Sequence, residues 1–207
     1  MHTVICFDLD GTLVQYDRSF DAILGTTFER ELGATSDEMV AAYDEGFFTA
    51  FESLDADPYH AGMVAALEAG GVEDANVDRL VATLRDEEFA ATTVPQATRD
   101  ALAELADDEE TTLVCLTDGV GDWQRAKLDH HDIADALDET VVSYEVAGHK
   151  AGGKPYDAVR ERIDADEYVM VGDDYDADVK AARAAGFVPV HYKDADTDLF
   201  EILGAMS

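Results

Sequence analysis

At 207 residues, with 47 acidic against 14 basic side chains and a formal net charge of −33, the chain is long enough for one large-cored domain, or for a core domain carrying an insertion. So acidic a surface excludes a nucleic-acid partner, whose phosphates it would repel. No run of 18 apolar residues occurs and no basic region precedes an apolar stretch at the N-terminus, so neither a membrane partner nor a signal peptide is expected and the location is expected to be cytoplasmic. Cys6 and Cys115 sit inside the apolar runs VICF and LVCL and read as buried thiols.

The first predicted element is a strand, Thr3–Phe7, followed at once by Asp8, Asp10 and Gly11-Thr12. Residues 16–94 then show no convincing strand. They carry helical stripes instead: Phe20, Ile23/Leu24, Thr27/Phe28, Leu32; Met39, Tyr43, Phe47, Phe51; Tyr59, Met63, Leu67; Val77, Leu80/Val81, Leu84. Gly33, Pro58, Gly70-Gly71 and Pro95 punctuate them. Beyond Pro95, strands are expected at Thr112–Leu116, Thr140–Val146, Tyr168–Val171 and Val188–Tyr192. Helices are expected at Gln96–Ala106, Asp122–His130, Pro155–Ile163, Ala177–Ala185 and Thr197–Leu203. Strands that are apolar throughout and alternate with helices imply a parallel sheet covered on both faces. The expected fold class is therefore α/β, a three-layer Rossmann-like core (1–15 and 95–207) with an all-helical insertion (16–94).

In such a sheet, ligands bind beyond the carboxyl ends of the strands. Asp8 and Asp10 follow the first strand, Thr117-Asp118-Gly119 the second, and Gly172-Asp173-Asp174 with Asp178 the fourth. Lys150 and Gly153-Lys154-Pro155 precede the helix after the third. The D-x-D spacing alone says little in this chain, because it recurs at Asp55/Asp57, Asp164/Asp166 and Asp194/Asp196. Carboxylates from separate strand tips, however, make an oxygen-rich site suited to a hard cation such as Mg²⁺.

The ordered motifs DLDGT, LTDG, GGKP and VGDDYDADVKAARAAG, with a helical insertion behind the first, resemble the haloacid dehalogenase superfamily in its helical-cap branch. The resemblance implies a phosphotransferase in which Asp8 is the nucleophile, forming an aspartyl-phosphate, and Asp10 serves as acid and then base. It implies Mg²⁺ held by the Asp8 side chain, the Asp10 carbonyl oxygen and Asp173, with Asp178 orienting the metal shell. Thr117 and the backbone donors of Asp118 and Gly119 would cradle the phosphoryl group, helped by a lysine. Lys154, followed by proline as is usual in the family, is favoured for that lysine over Lys150, which lies closer to the usual distance from SYEV. Ala147 and the extra glycines depart from the common pattern in that loop.

The expected function is thus a Mg²⁺-dependent phosphatase of a small phosphorylated metabolite, a monomer or small homo-oligomer, with the cap closing over the site and choosing the substrate. A phosphomutase differs only in the acceptor of the phosphoryl group. A haloacid dehalogenase needs neither a proton donor at Asp10 nor a metal. A non-enzymatic phospho-receiver module has its acceptor after the third strand and lacks a cap of this size. His130-His131 are adjacent and point about 100° apart on a helix, a poor metal pair. Asp174, Asp176 and Asp178 lack the glycine and terminal glutamate of a calcium loop. Trp123, Gln124 and Lys127, in DWQRAKL, resemble phosphatase members of the family, and a solvated helix face explains them nearly as well.

The charge balance, spread over the whole length rather than in a tail, resembles that of proteins from salt-in halophiles, where multimolar salt shortens the Debye length to about 3 Å or less. Equilibrium unfolding in dilute buffer and in molar KCl is expected to show a clearly more stable fold in KCl. Equal stability in the two would remove the idea.

Overall fold

The computed structural model describes residues 1–192, so the expected helix Thr197–Leu203 lies outside the described residues. Among them, contacts divide the chain into two units, Met1–Gln15 with the segment from Thr93 onward, and Tyr16–Thr92.

The first unit is an α/β sheet built on β1 (Thr3–Phe7). A two-residue strand, β2 (Gln15–Tyr16), follows it and leads into the second unit's helices: α1 (Phe20–Leu32), α2 (Asp37–Glu52), α3 (Pro58–Gly70) and α4 (Val77–Ala90). The short strand β3 (Thr92–Thr93) pairs with β2. Neither two-residue strand is visible in the periodicity, which needs a longer run to register. After β3 the core resumes with α5 (Gln96–Ala106), β4 (Thr111–Thr117), α6 (Gly121–His130), β5 (Glu139–Val142), α7 (Lys154–Arg162), β6 (Glu167–Gly172), α8 (Ala182–Ala184) and β7 (Val188–His191).

The five long strands are all parallel in the order β5-β4-β1-β6-β7, with β1 in the middle. Alternate β1 side chains enter opposite cores. Ile5 and Phe7 pack with Leu113, Cys115, Val169 and Val171 on one face; Val4 and Cys6 pack with Val114, Leu116, Val141 and Met170 on the other. Burying both faces is what makes these strands read as continuous apolar runs, and each large aliphatic side chain so buried contributes about 1.5–3 kcal/mol. The register pairs Phe7 with both Cys115 and Val171. β6 thus runs one residue and β4 two residues beyond the end of β1, and all three tips lie at the point where the chain, having run outward from β1 through β4 to β5, returns to β6 on β1's other side.

Two expected elements differ. The strand expected over 140–146 stops at Val142, and Ser143–Val146 forms a 3₁₀ turn ending in Ala147 with φ 53°. The hydroxyl of Ser143 accepts a hydrogen bond from Gly119 N–H at 3.0 Å, which turns the chain towards the β4 tip. The helix expected over 177–185 begins as a π-helix, Tyr175–Ala181, and only its end is α. The buried Tyr156 hydroxyl donates to Ala177 O at 2.6 Å within that wider turn.

In the second unit each helix starts on a side-chain cap: Ser19, Ser36, Asp57 and Asn76 accept from the backbone N–H groups of Ala22, Met39, His60 and Arg79. α2 and α3 approach closely because two facing residues lack side chains. A Cβ on Gly46 would lie 2.8 Å from Ala65 Cβ, and one on Gly62 2.8 Å from the Tyr43 ring. Among the described residues no helix is long and apolar enough to cross a membrane.

Candidate active site

The buried Asp8 carboxylate stands immediately beyond β1, its N–H bonded to Val171 O at 2.9 Å. Gly11 follows at φ 86°, a left-handed conformation that glycine adopts without strain. Its missing side chain also makes room for Asp173, whose Oδ2 lies 2.6 Å from where a Cβ would be. Thr12 donates its hydroxyl to Asp173 Oδ1 at 3.1 Å and so holds that carboxylate from β1's side. Gly172 serves Asp178 in the same way, for a Cβ there would fall 2.2 Å from Asp178 Oδ2. Glycines at two strand tips thus let two aspartates close on a third.

The result is a triad: Asp8, Asp173 and Asp178 each offer a carboxylate oxygen, all within 4.8 Å of one another. One ammonium answers them. Lys150 Nζ lies 2.6 Å from Asp8 Oδ1 and 2.6 Å from Asp178 Oδ1, with the lysine itself buried. Burial raises the Asp8 carboxyl above the ordinary carboxylate range, to about 8, against the pull of Lys150; the charges of Asp178 and Asp10 add to the rise. Burial opposes the charge on Lys150, but Asp8, Asp178 and Asp118 outweigh it and push the ammonium's pKa up. Three hard oxygen donors against a single positive charge leave the cluster electron-rich, which fits a divalent cation of the Mg²⁺ type.

Lys154, favoured for the phosphate-binding lysine, lies elsewhere. Its stem runs past Gly148, where a Cβ would come within 2.5 Å of it, and its Nζ donates to Ala147 O at 2.7 Å. The reason is local: left-handed residues at Ala147 and Gly153 bracket a 3₁₀ turn, Lys150–Gly152, that carries Lys150 inward. Asp118 secures it, its Oδ1 accepting from Lys150 N–H at 2.9 Å. Gly119, expected to offer its N–H to a phosphoryl oxygen, gives it here to Ser143 Oγ at 3.0 Å. Thr117 is buried at the β4 tip, beside the Asp118 backbone.

Asp10 turns its side chain away from the triad. Gln124 Nε2 donates to its Oδ2 at 2.8 Å, and Lys127 Nζ lies 2.5 Å from its Oδ1. Both partners come from α6, and both are buried, at 2% and 1% exposure, so the solvated-face reading of DWQRAKL is overturned. The buried stripe Trp123, Gln124, Lys127, Leu128 is one helical face, and its two apolar members were the available signal. Asp174 Oδ1 accepts from the N–H groups of Asp176 and Ala177, capping the turn that follows. Ser143 carried no sequence signal of its own, and Thr12 only its place in DLDGT.

A family model for haloacid dehalogenase-like hydrolases matches residues 2–186. The chain belongs to that family. It is 26% identical, over 95% of its length and 87% of the other's, to a ribulose-1,5-bisphosphate 5-phosphatase of Halopiger xanaduensis. Its fold resembles that of the HAD-hydrolase YfnB of Bacillus subtilis, solved bound to magnesium, with a TM-score of 0.74 at 21% identity, covering 98% of this chain and 99% of that one. It resembles equally a 2-haloacid dehalogenase of Pseudomonas syringae pv. tomato, with a TM-score of 0.71 at 20% identity over the whole of both chains.

Proposed function

We propose that the chain is a Mg²⁺-dependent phosphatase that hydrolyses a small phosphorylated metabolite through an aspartyl-phosphate on Asp8. The observation that carries this reading is the division of labour at the β1 tip: Asp8 sits in the acidic triad against Lys150, while Asp10, two residues on, is held apart by Gln124 and Lys127. The likeness to a phosphatase from a halophile supports it. Asp8, Asp173 and Asp178 are the side chains that would hold Mg²⁺, with the Asp10 carbonyl oxygen. When bound, the ion would favour the ionised Asp8 carboxylate and neutralise charge on the phosphoryl oxygens.

The chain's own groups supply the rest. An Asp8 carboxylate oxygen attacks phosphorus as the ester P–O bond breaks, and Asp10 delivers its proton to the departing alkoxide. Asp10, now a carboxylate, takes a proton from water, whose oxygen attacks phosphorus; phosphate leaves and Asp8 is restored. Thr117 O–H, Asp118 N–H and the Lys150 ammonium would receive the charge that builds on the transferring group.

A dehalogenase shares the nucleophile but leaves Asp10 and Asp173 without employment, since a halide departs unprotonated. A phosphomutase would use the same residues with a sugar hydroxyl in place of water. A panel of phosphate esters, sugar bisphosphates and 2-haloacids, assayed with Mg²⁺ in molar KCl, is expected to give inorganic phosphate that disappears with EDTA. Halide release without phosphate release, or turnover indifferent to EDTA, would overturn the reading.

A further inference from the structure

The α6 pair, Gln124 and Lys127, does more than fill space under the site. Gln124 Nε2 has two hydrogens and three acceptors in reach: Asp10 Oδ2 at 2.8 Å, Thr117 Oγ1 at 3.0 Å and Asp118 O at 3.3 Å. The two shorter contacts tie the acid after β1 to the hydroxyl that ends β4. Because the Thr117 hydroxyl accepts from Gln124, its own hydrogen remains to be given. It is given to Asp118 O at 3.3 Å, long for an O–H···O bond and readily exchanged for a phosphoryl oxygen. Lys127 reaches the other Asp10 oxygen from full burial. With a donor on each oxygen, the carboxyl plane of Asp10 is fixed. The arrangement also constrains position 119: a Cβ there would lie 2.6 Å from Gln124 Cγ, so only glycine admits the amide.

We infer that Gln124 and Lys127 are positioning residues for proton transfer, acting through Asp10, and that Gln124 also presents the Thr117 hydroxyl as a donor. This rests on the phosphatase reading above. The two claims separate through the leaving group. An alkoxide needs a proton to depart and p-nitrophenolate does not, so misplacing Asp10 penalises one ester and spares the other.

Gln124→Met and Lys127→Met keep side-chain length and remove the donors. For each, kcat/KM on an alkyl phosphate is expected to fall by ~10²-fold; on p-nitrophenyl phosphate Lys127→Met is expected to lose no more than about threefold and Gln124→Met about tenfold, because it also releases the Thr117 hydroxyl, kcat/KM reporting only steps through loss of the first product. The same variants are expected to accumulate acid-stable label as phosphoenzyme on p-nitrophenyl phosphate, because water attack also needs Asp10. A merely structural role would lower both esters by one factor with no accumulation, and that result overturns the inference while leaving the phosphatase reading intact. Wild-type protein that releases phosphate from neither ester overturns both.

Discussion

Asp8→Asn is expected to lower kcat/KM for phosphate release by ~10⁴-fold or more, because a neutral amide oxygen is a poor nucleophile and no other side chain takes over the covalent step. The substitution changes little else. An asparagine oxygen can still accept from Lys150 Nζ, which now sits 2.6 Å from the Asp8 carboxylate. A neutral amide is also cheaper to bury than a charge. Thermal unfolding in molar KCl should therefore find the variant no less stable than the parent, so lost turnover cannot be assigned to lost fold. Acid-quenched mixtures should hold labelled phosphoprotein for the parent and none for the variant. Turnover unchanged in Asp8→Asn would remove Asp8 from the covalent step.

The second large effect separates two lysines four residues apart. Lys150→Met should destabilise by about 3–5 kcal/mol, since it leaves the Asp8 and Asp178 carboxylates buried and unanswered. Lys154→Met should fall within about 0.5 kcal/mol of the parent, because Lys154 gives up one exposed bond to a carbonyl. Denaturant unfolding in molar KCl measures both. Added Mg²⁺ should return part of the loss in the Lys150 variant, as a ligand that binds only the folded chain must. Equal losses for the two variants would contradict the placement of Lys150.

Much of the fold was legible because buried parallel strands leave a plain trace: continuous apolar runs closed by aspartate or glycine, at Phe7-Asp8, Thr117-Asp118 and Gly172-Asp173. The meeting of acids from separate strand tips followed from the same trace, since the sheet order puts those tips together. The lysine was not legible, because Lys-Pro at 154–155 truly starts a helix, as Pro155 in its first turn attests. That signal locates a helix, not the side chain that enters the site. Which lysine enters depends on two left-handed residues, and one of them is an alanine that no propensity would place there. Gln124 and Lys127 stood out in DWQRAKL, but a solvated helix face explained them nearly as well for a related reason: polarity argues for solvent unless a carboxylate waits in the interior, and Asp10 is more than a hundred residues away in sequence.

Burying Lys127 and Lys150 has a cost for the rest of the molecule. Five lysines are all the chain has, and two of them are spent on aspartates at the sheet's end, so the solvent-facing charge is poorer in cations than composition suggests. A phosphorylated metabolite diffusing in dilute buffer would then meet a repulsive field before any productive collision. Molar salt, confining that field to about 3 Å, would lift the barrier. Capture of substrate should quicken as ionic strength rises, the reverse of an enzyme that draws its anion in by attraction.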